Sequence, residues 1–296
     1  MTHPAPIYPP ALKQGDKIGI VTPSGWHDMD KLAPAIEWLS QYFEVVIHEQ
    51  NYMKHGQFAG THQQRADALN DYFKDDSIKA IFCTRGGNGT VHLLDLLDYN
   101  LIENNPKILI GFSNVTTLLN SIYTQTGLVT FHGPMLVNLS GRIEERWNNH
   151  MIDVLMGKTS SVEIGSDIEA SGRLFGGNLS DMQTLIGTPY APNLNNAILM
   201  LEDTNEHTSR YDRMLGHMKQ AGWLKSLSGI MLGEFLNSLE SDNPFGFTIE
   251  EIIANNAPDT PVITNVLFGH GKKLCTLPIG AEITLKNGKL SFKSLA

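Results

Sequence analysis

Cysteine is nearly absent from this chain: among 296 residues only Cys83 and Cys275 occur. Two are too few for a disulfide framework and lack the spacing of a metal-ligand set, so both read as buried thiols. Long apolar runs are missing too. Nowhere do about 18 apolar residues follow one another. The opening MTHPAPIYPPALKQGDKIGI shows no positively charged segment leading into an apolar one, so a soluble, cytoplasmic protein with no membrane partner is expected. Basic clusters are equally scarce. The formal net charge is -9 and no run of Lys or Arg forms a local footprint, which argues against nucleic acid as a partner. There is no His-Glu-x-x-His zinc pattern, no internal repeat and no low-complexity tract.

What is present is an ordinary folded composition, 41% hydrophobic and 18% charged, in a chain long enough for two domains. Short apolar runs alternate with helical patterns through the first half. Lys17 to Thr22 reads as a buried strand ending in the turn Pro23-Ser24-Gly25, and Leu32, Ala35, Ile36, Leu39 and Phe43 recur at helical spacing. Strands follow at 44–47, 80–83, 107–111 and 128–131, with helices at 62–73, 91–97, 114–123 and 144–156 between and after them. Such alternation predicts an α/β domain over residues 1–157 with a doubly wound, mostly parallel sheet, whose function belongs at the carboxyl ends of its strands. Residues 158–172, rich in Ser, Gly and acidic side chains, read as a linker. A smaller, β-rich α+β domain is expected over 173–296, with strands at 198–201 and 229–232 and a helix opened by the capping box Thr248 to Glu251. It should close with a hairpin turning at Asn287-Gly288.

Four local patterns can carry chemistry. Ile108-Leu109-Ile110-Gly111-Phe112-Ser113-Asn114 runs from an apolar strand through a serine into a helix. This suits a nucleophile elbow, with the Asn114 N–H facing a developing oxyanion. It also suits a serine acting only as a helix N-cap, and the five-residue Gly-x-Ser-x-Gly pattern is not met. Thr84-Arg85-Gly86-Gly87-Asn88-Gly89 has the glycine density for backbone N–H groups to converge on an anion, but neither the P-loop ending nor the Gly-x-Gly-x-x-Gly spacing. It reads as a phosphate loop, an oxyanion donor or a plain connection. His270, between Gly269 and Gly271, lies in a loop free to aim an imidazole. Glu202 ends the apolar strand Leu199-Met200-Leu201, and a relay needs a carboxylate to orient the imidazole, a role for which Asp203, Glu206 and Glu234 compete.

Together these segments resemble the LD-carboxypeptidase family, which includes muramoyl-tetrapeptide carboxypeptidases and microcin C immunity peptidases. The resemblance spans nearly the whole chain. Besides the four patterns it rests on Gly15 to Val21 with Pro23-Ser24-Gly25, Phe58-Ala59-Gly60-Thr61, Phe131-His132-Gly133-Pro134-Met135, Gly176-Gly177-Asn178-Leu179-Ser180 and Tyr211-Asp212-Arg213-Met214-Leu215.

The resemblance implies a serine hydrolase with Ser113 as nucleophile, His270 as base and Glu202 as its orienting carboxylate. Backbone N–H groups of Gly87 and Asn114 would form the oxyanion hole. No metal and no cofactor is implied. The implied substrate is a small peptide, the cytoplasmic murein tetrapeptide, losing its terminal D-alanine as in peptidoglycan recycling. The carboxylate beside the scissile bond needs a cationic or N–H-rich pocket, for which Arg85, with Gly86 and Asn88, is the candidate. Asn88 stands where the family commonly has tyrosine, which bears on the shape of the cleft. A homodimer is the expected assembly. Two other functions stay open: an immunity-type peptidase acting on aminoacyl-nucleotide antibiotics, and a two-domain small-ligand binding protein without chemistry.

Overall fold

The computed structural model describes residues 4–296. Its first sheet starts with β1 (Lys17–Val21), followed by helix α1 (Ala33–Ser40), β2 (Glu44–Ile47), α2 (His62–Lys74) and β3 (Ile78–Cys83). After α3 (Tyr99–Asn104) come β4 (Ile108–Gly111), α4 (Thr116–Thr126), β5 (Thr130–His132), α5 (Leu136–Leu139) and α6 (Glu145–Leu155). Strand β4 is buried at every position, as a central strand covered on both faces must be, and α2 is opened by a reciprocal Thr61–Gln64 capping box. The segment expected as a helix from Val91 to Leu97 is a 3-10 stretch, Thr90–Leu96.

The second sheet collects β6 (Ser161–Glu163), β7 (Ala170–Asn178), β8 (Ala197–Thr204), β9 (Gly229–Leu236) and β10 (Val262–Ile263). Helices α7 (Leu179–Gln183), α8 (Thr208–Gln220) and α9 (Ile249–Asn256) connect β7 to β8, β8 to β9 and β9 to β10. The chain then places β11 (Leu277–Ile279) before the closing hairpin of β12 (Glu282–Lys286) and β13 (Lys289–Phe292). Asn287 and Gly288 both have positive φ, 52° and 72°, as a type I′ turn requires.

The sheet orders are β11-β5-β4-β3-β1-β2 and β10-β9-β8-β7-β12-β13-β6. The first is parallel except for β11, which adds antiparallel to β5. In the second, the half from β10 to β7 is parallel and the half from β7 to β6 antiparallel. Two boundaries differ from the sequence expectation. Residues 158–172 are not a plain linker, since β6 pairs with β13 and β7 begins at Ala170. The first sheet is not confined to 1–157 either, because β11 returns to its edge.

Helix α4 explains how the sheets are joined. It is buried on almost every face because β4 and β5 lie on one side and β7 on the other. Asn120 acts as a surrogate ladder partner: its Nδ2 donates to Gly176 O at 3.0 Å and its Oδ1 accepts from Gly176 N at 3.0 Å. The Asn178 amide donates to Thr116 Oγ1 at 3.0 Å. One hydrophobic cluster runs through both sheets, from Ile18 and Phe82 to Phe175 and Leu201.

Candidate active site

Ser113 sits where β4 ends, at φ 58°, a left-handed conformation that a non-glycine residue adopts only where the surroundings impose it. An N-cap serine would be extended, so the left-handed conformation does not fit the cap reading of this residue. Neither Phe112, which precedes the short 3-10 turn Ser113–Val115, nor Val115, which precedes α4, makes a side-chain cap bond, and Ser113 caps neither. Its Oγ instead lies 3.0 Å from His270 Nε2. The other imidazole nitrogen, Nδ1, is 2.6 Å from Glu202 Oε2. Glu202 is an acceptor, so Nδ1 carries the hydrogen and Nε2 presents its lone pair to the serine hydroxyl.

Glu202 is fully buried, and at the end of β8 the register to β9 shifts between Leu201 and Asp203. That irregularity lets two consecutive carboxylates both be buried, Glu202 on His270 and Asp203 on Ser180, with the Asn178 side-chain amide shared between them. Asp203 accepts from Ser180 Oγ at 2.7 Å, Ser180 N at 2.9 Å and Asn178 Nδ2 at 3.2 Å. Glu206 pairs with Arg210, and the Glu234 carboxylate rests against Gly271. Of the four competing carboxylates, Glu202 alone among the described residues bonds His270.

Burial pushes the Glu202 carboxyl up, against the pull of its His270 hydrogen bond. Burial by itself would lower the imidazole of His270. The Glu202 hydrogen bond and charge, with Asp203 and Asp181 behind it, outweigh that and hold it above the ordinary value. The Phe112 ring packs 4.9 Å from the imidazole and restricts its swing.

The glycine loop approaches the serine as closely as a backbone can. A Cβ on Gly86 would lie 2.8 Å from Ser113 Oγ and 3.3 Å from Asn114 N, so any side chain there would collide with the hydroxyl. Gly87, at φ 131°, follows in a conformation that side chains rarely adopt. Gly86 therefore borders both the hydroxyl and the Asn114 amide, and Gly87 lines the same cavity, an arrangement suited to holding an oxyanion on backbone N–H groups.

In front of Ser113 and His270 opens a cavity of about 290 Å³, lined also by His27, Arg85, Met135, Asn138 and Arg142. Burial, then the charges of Arg85 and Arg142, hold the His27 imidazole below its ordinary value, a mark of a positive field. Arg85 donates through Nε to Gly86 O at 3.1 Å. Of the substrate-binding residues expected from the sequence, Arg85 and Gly86 line this cavity. Asn88 is exposed and does not line it, because the loop turns its position outwards beyond Gly87. Arg142, His27 and Asn138 were not legible as site residues: none lies in a glycine-rich turn or at a strand end. Cys83 and Cys275 are buried, with thiols raised by desolvation. No helix among the described residues is long and apolar enough to cross a membrane.

Comparison with known proteins gives the family. Residues 18–133 match the LD-carboxypeptidase N-terminal domain and residues 171–285 the LD-carboxypeptidase C-terminal domain. A putative carboxypeptidase of Synechocystis sp. is 34% identical over 97% of this chain and 97% of its own length. A probable murein peptide carboxypeptidase of Bacillus subtilis is 30% identical over 95% and 92%. The crystal structure of a muramoyltetrapeptide carboxypeptidase from Oxalobacter formigenes superposes with a TM-score of 0.85 at 29% identity, covering 94% of this chain and 98% of that one. The chain belongs to the LD-carboxypeptidase family and is a hydrolase.

Proposed function

We propose that the chain is a serine LD-carboxypeptidase that removes the terminal D-alanine from murein tetrapeptide, with Ser113, His270 and Glu202 as its relay. The observation that carries this reading is the continuous hydrogen-bonded path from Glu202 through His270 to Ser113, ending at a cavity that holds two guanidinium groups. His270 Nε2 takes the proton of Ser113 as Oγ attacks the amide carbonyl, while Glu202 stabilises the imidazolium. The tetrahedral oxyanion is held by the N–H groups of Gly87 and Asn114. His270 then returns the proton to the departing amine of D-alanine, and water, activated at the same nitrogen, releases the acyl group.

Arg142 and Arg85 fit the free carboxylate that distinguishes a carboxypeptidase substrate from an internal peptide bond. The names of the murein and muramoyltetrapeptide carboxypeptidases to which the chain is similar support the same substrate class. The proposed setting is the cytoplasm and the proposed assembly a homodimer, which sedimentation of the purified chain tests.

The deciding experiment is release of D-alanine from a murein tetrapeptide by the wild-type chain and by Ser113→Ala. Loss of the nucleophile should lower turnover by about 10⁶ with the fold retained. A well-folded Ser113→Ala enzyme with substantial activity rejects the relay. Hydrolysis of aminoacyl-nucleotides in preference to the tetrapeptide assigns the chain to the immunity type instead.

A further inference from the structure

Next to the serine, the buried Asn114 side chain, which does not line the cavity, is held by three partners. Its Oδ1 accepts from Ser24 Oγ at 2.9 Å and from Thr90 N at 3.1 Å. Its Nδ2 donates to Asp181 Oδ1 at 2.6 Å. Ser24 belongs to the turn after β1, Thr90 to the end of the glycine loop and Asp181 to α7 of the second sheet. Four separate chain segments, counting the elbow itself, thus meet on the side-chain amide of the residue whose backbone N faces Gly86 together with Ser113 Oγ.

The Asp181 end of this network leads back to the relay. The Asp181 N–H donates to Asn178 Oδ1 at 3.2 Å, while Asn178 Nδ2 lies 3.2 Å from Asp203 Oδ1 and 3.4 Å from Glu202 Oε1. The first turn of α7 therefore connects the carboxylate that orients His270 with the residue that follows the nucleophile.

We propose that Asp181 is a positioning residue for acyl transfer: by gripping Asn114 it keeps the backbone N–H of that residue aimed at the oxyanion. This rests on the function proposed above. An oxyanion donor acts only if it is in place before charge develops, and displacement by a fraction of an ångström weakens a short charge-assisted bond steeply. At the elbow the backbone is already in a left-handed conformation, so without an anchor it would relax. Burial pushes the Asp181 carboxyl up to about 7, reinforced by Asp203 and Glu202 and opposed by the Asn114 bond and His270. A neutral carboxyl still offers a carbonyl oxygen to Asn114 Nδ2, so the grip needs the acceptor and not the charge.

The test compares Asp181→Ala with Asp181→Asn, whose amide oxygen can take the same bond. Asp181→Ala should lower kcat for the tetrapeptide by about 10- to 100-fold with KM nearly unchanged, because the ground-state carbonyl is not yet an oxyanion. Phosphonylation of Ser113 by a serine-directed phosphonate, in which Oγ bonds to phosphorus and the reagent's leaving group departs, should slow in parallel. Asp181→Asn should stay within about threefold of wild type, since it restores the acceptor. Equal damage from both variants, a rise in KM alone, or an Asp181→Ala enzyme within about threefold of wild-type kcat overturns the proposal. If Asp181→Ala does not fold, Asn114→Ala, which keeps the backbone N–H but removes the gripped side chain, is expected to show the same loss of kcat; unchanged kcat there also overturns it. Ser113→Ala separates the two levels: an active Ser113→Ala enzyme defeats the relay itself, whereas an inactive one beside an undamaged Asp181→Ala defeats only this inference.

Discussion

Glu202→Gln is the most informative single change, because the structure specifies what the new side chain would face. Both carboxylate oxygens of Glu202 are approached by donors, Oε2 by His270 Nδ1 at 2.6 Å and Oε1 by Asn178 Nδ2 at 3.4 Å. A glutamine has one acceptor and one donor end. With its oxygen towards His270, its NH₂ opposes the NH₂ of Asn178. With its NH₂ towards His270, the imidazole must carry its hydrogen on Nε2, and a protonated Nε2 cannot accept from Ser113. Either orientation also lacks the charge that stabilises imidazolium. For charges about 4 Å apart at an effective dielectric near 20, that stabilisation is about 4 kcal/mol. It corresponds to roughly 10³ in turnover. Stability should change little, because a costly buried carboxylate leaves together with its bond.

The assay is kcat for D-alanine release, followed across pH and beside a thermal melt. His270 is held above its ordinary value in the wild type. The base must be neutral to act, so the acid limb of kcat/KM should lie above the free imidazole value of about 6.5. Removing the Glu202 charge should move that limb to lower pH. A folded Glu202→Gln enzyme keeping more than about a tenth of wild-type turnover, or an unmoved acid limb, refutes the reasoning.

Two further outcomes follow from groups outside the relay. Arg142→Gln should raise KM for the tetrapeptide about tenfold and narrow the discrimination against its C-terminal amide, since a charge-assisted bond is lost; equal discrimination in mutant and wild type would remove Arg142 from carboxylate recognition. His132, fully buried with neither ring nitrogen hydrogen-bonded among the described residues and packed between Phe112 and Phe268, is pushed down to about 3 by burial and then by His270. Its folded value lies below its unfolded one, so the unfolded chain binds the extra proton: stability is full above about pH 6.5 and falls as pH drops towards 3, by about 2 kcal/mol at pH 5. Denaturant titrations of wild type and His132→Gln should show a shallower acid decline in the variant, and identical slopes would exclude this histidine as the cause.

How much of this was legible in the residues themselves differs from element to element. The buried run Ile108-Leu109-Ile110, the Thr61–Gln64 and Thr248–Glu251 capping boxes and the Asn287-Gly288 turn are local chemistry, satisfied by residues a few positions apart. From such patterns β4, α2, α9, the closing hairpin and the strand-serine-helix junction could be read directly. The pattern around Ser113 was compatible with a cap or a nucleophile; the positive φ and the His270 contact speak against the cap, and only the resemblance to a family had assigned the roles. The choice of Glu202 over Asp203, Glu206 and Glu234 depended on contacts spanning 68 residues to His270, and from there 157 to Ser113, which no local periodicity encodes. The return of β11 to the first sheet was hidden for a related reason: three residues with Pro278 at their centre carry almost no strand signal, and edge pairing to β5 alone makes them a strand. Arg142, Asn138 and Asp181 stand in unremarkable helical or loop sequence, and become parts of a site only because α4, sandwiched between two sheets, brings the carboxyl ends of both to the same place.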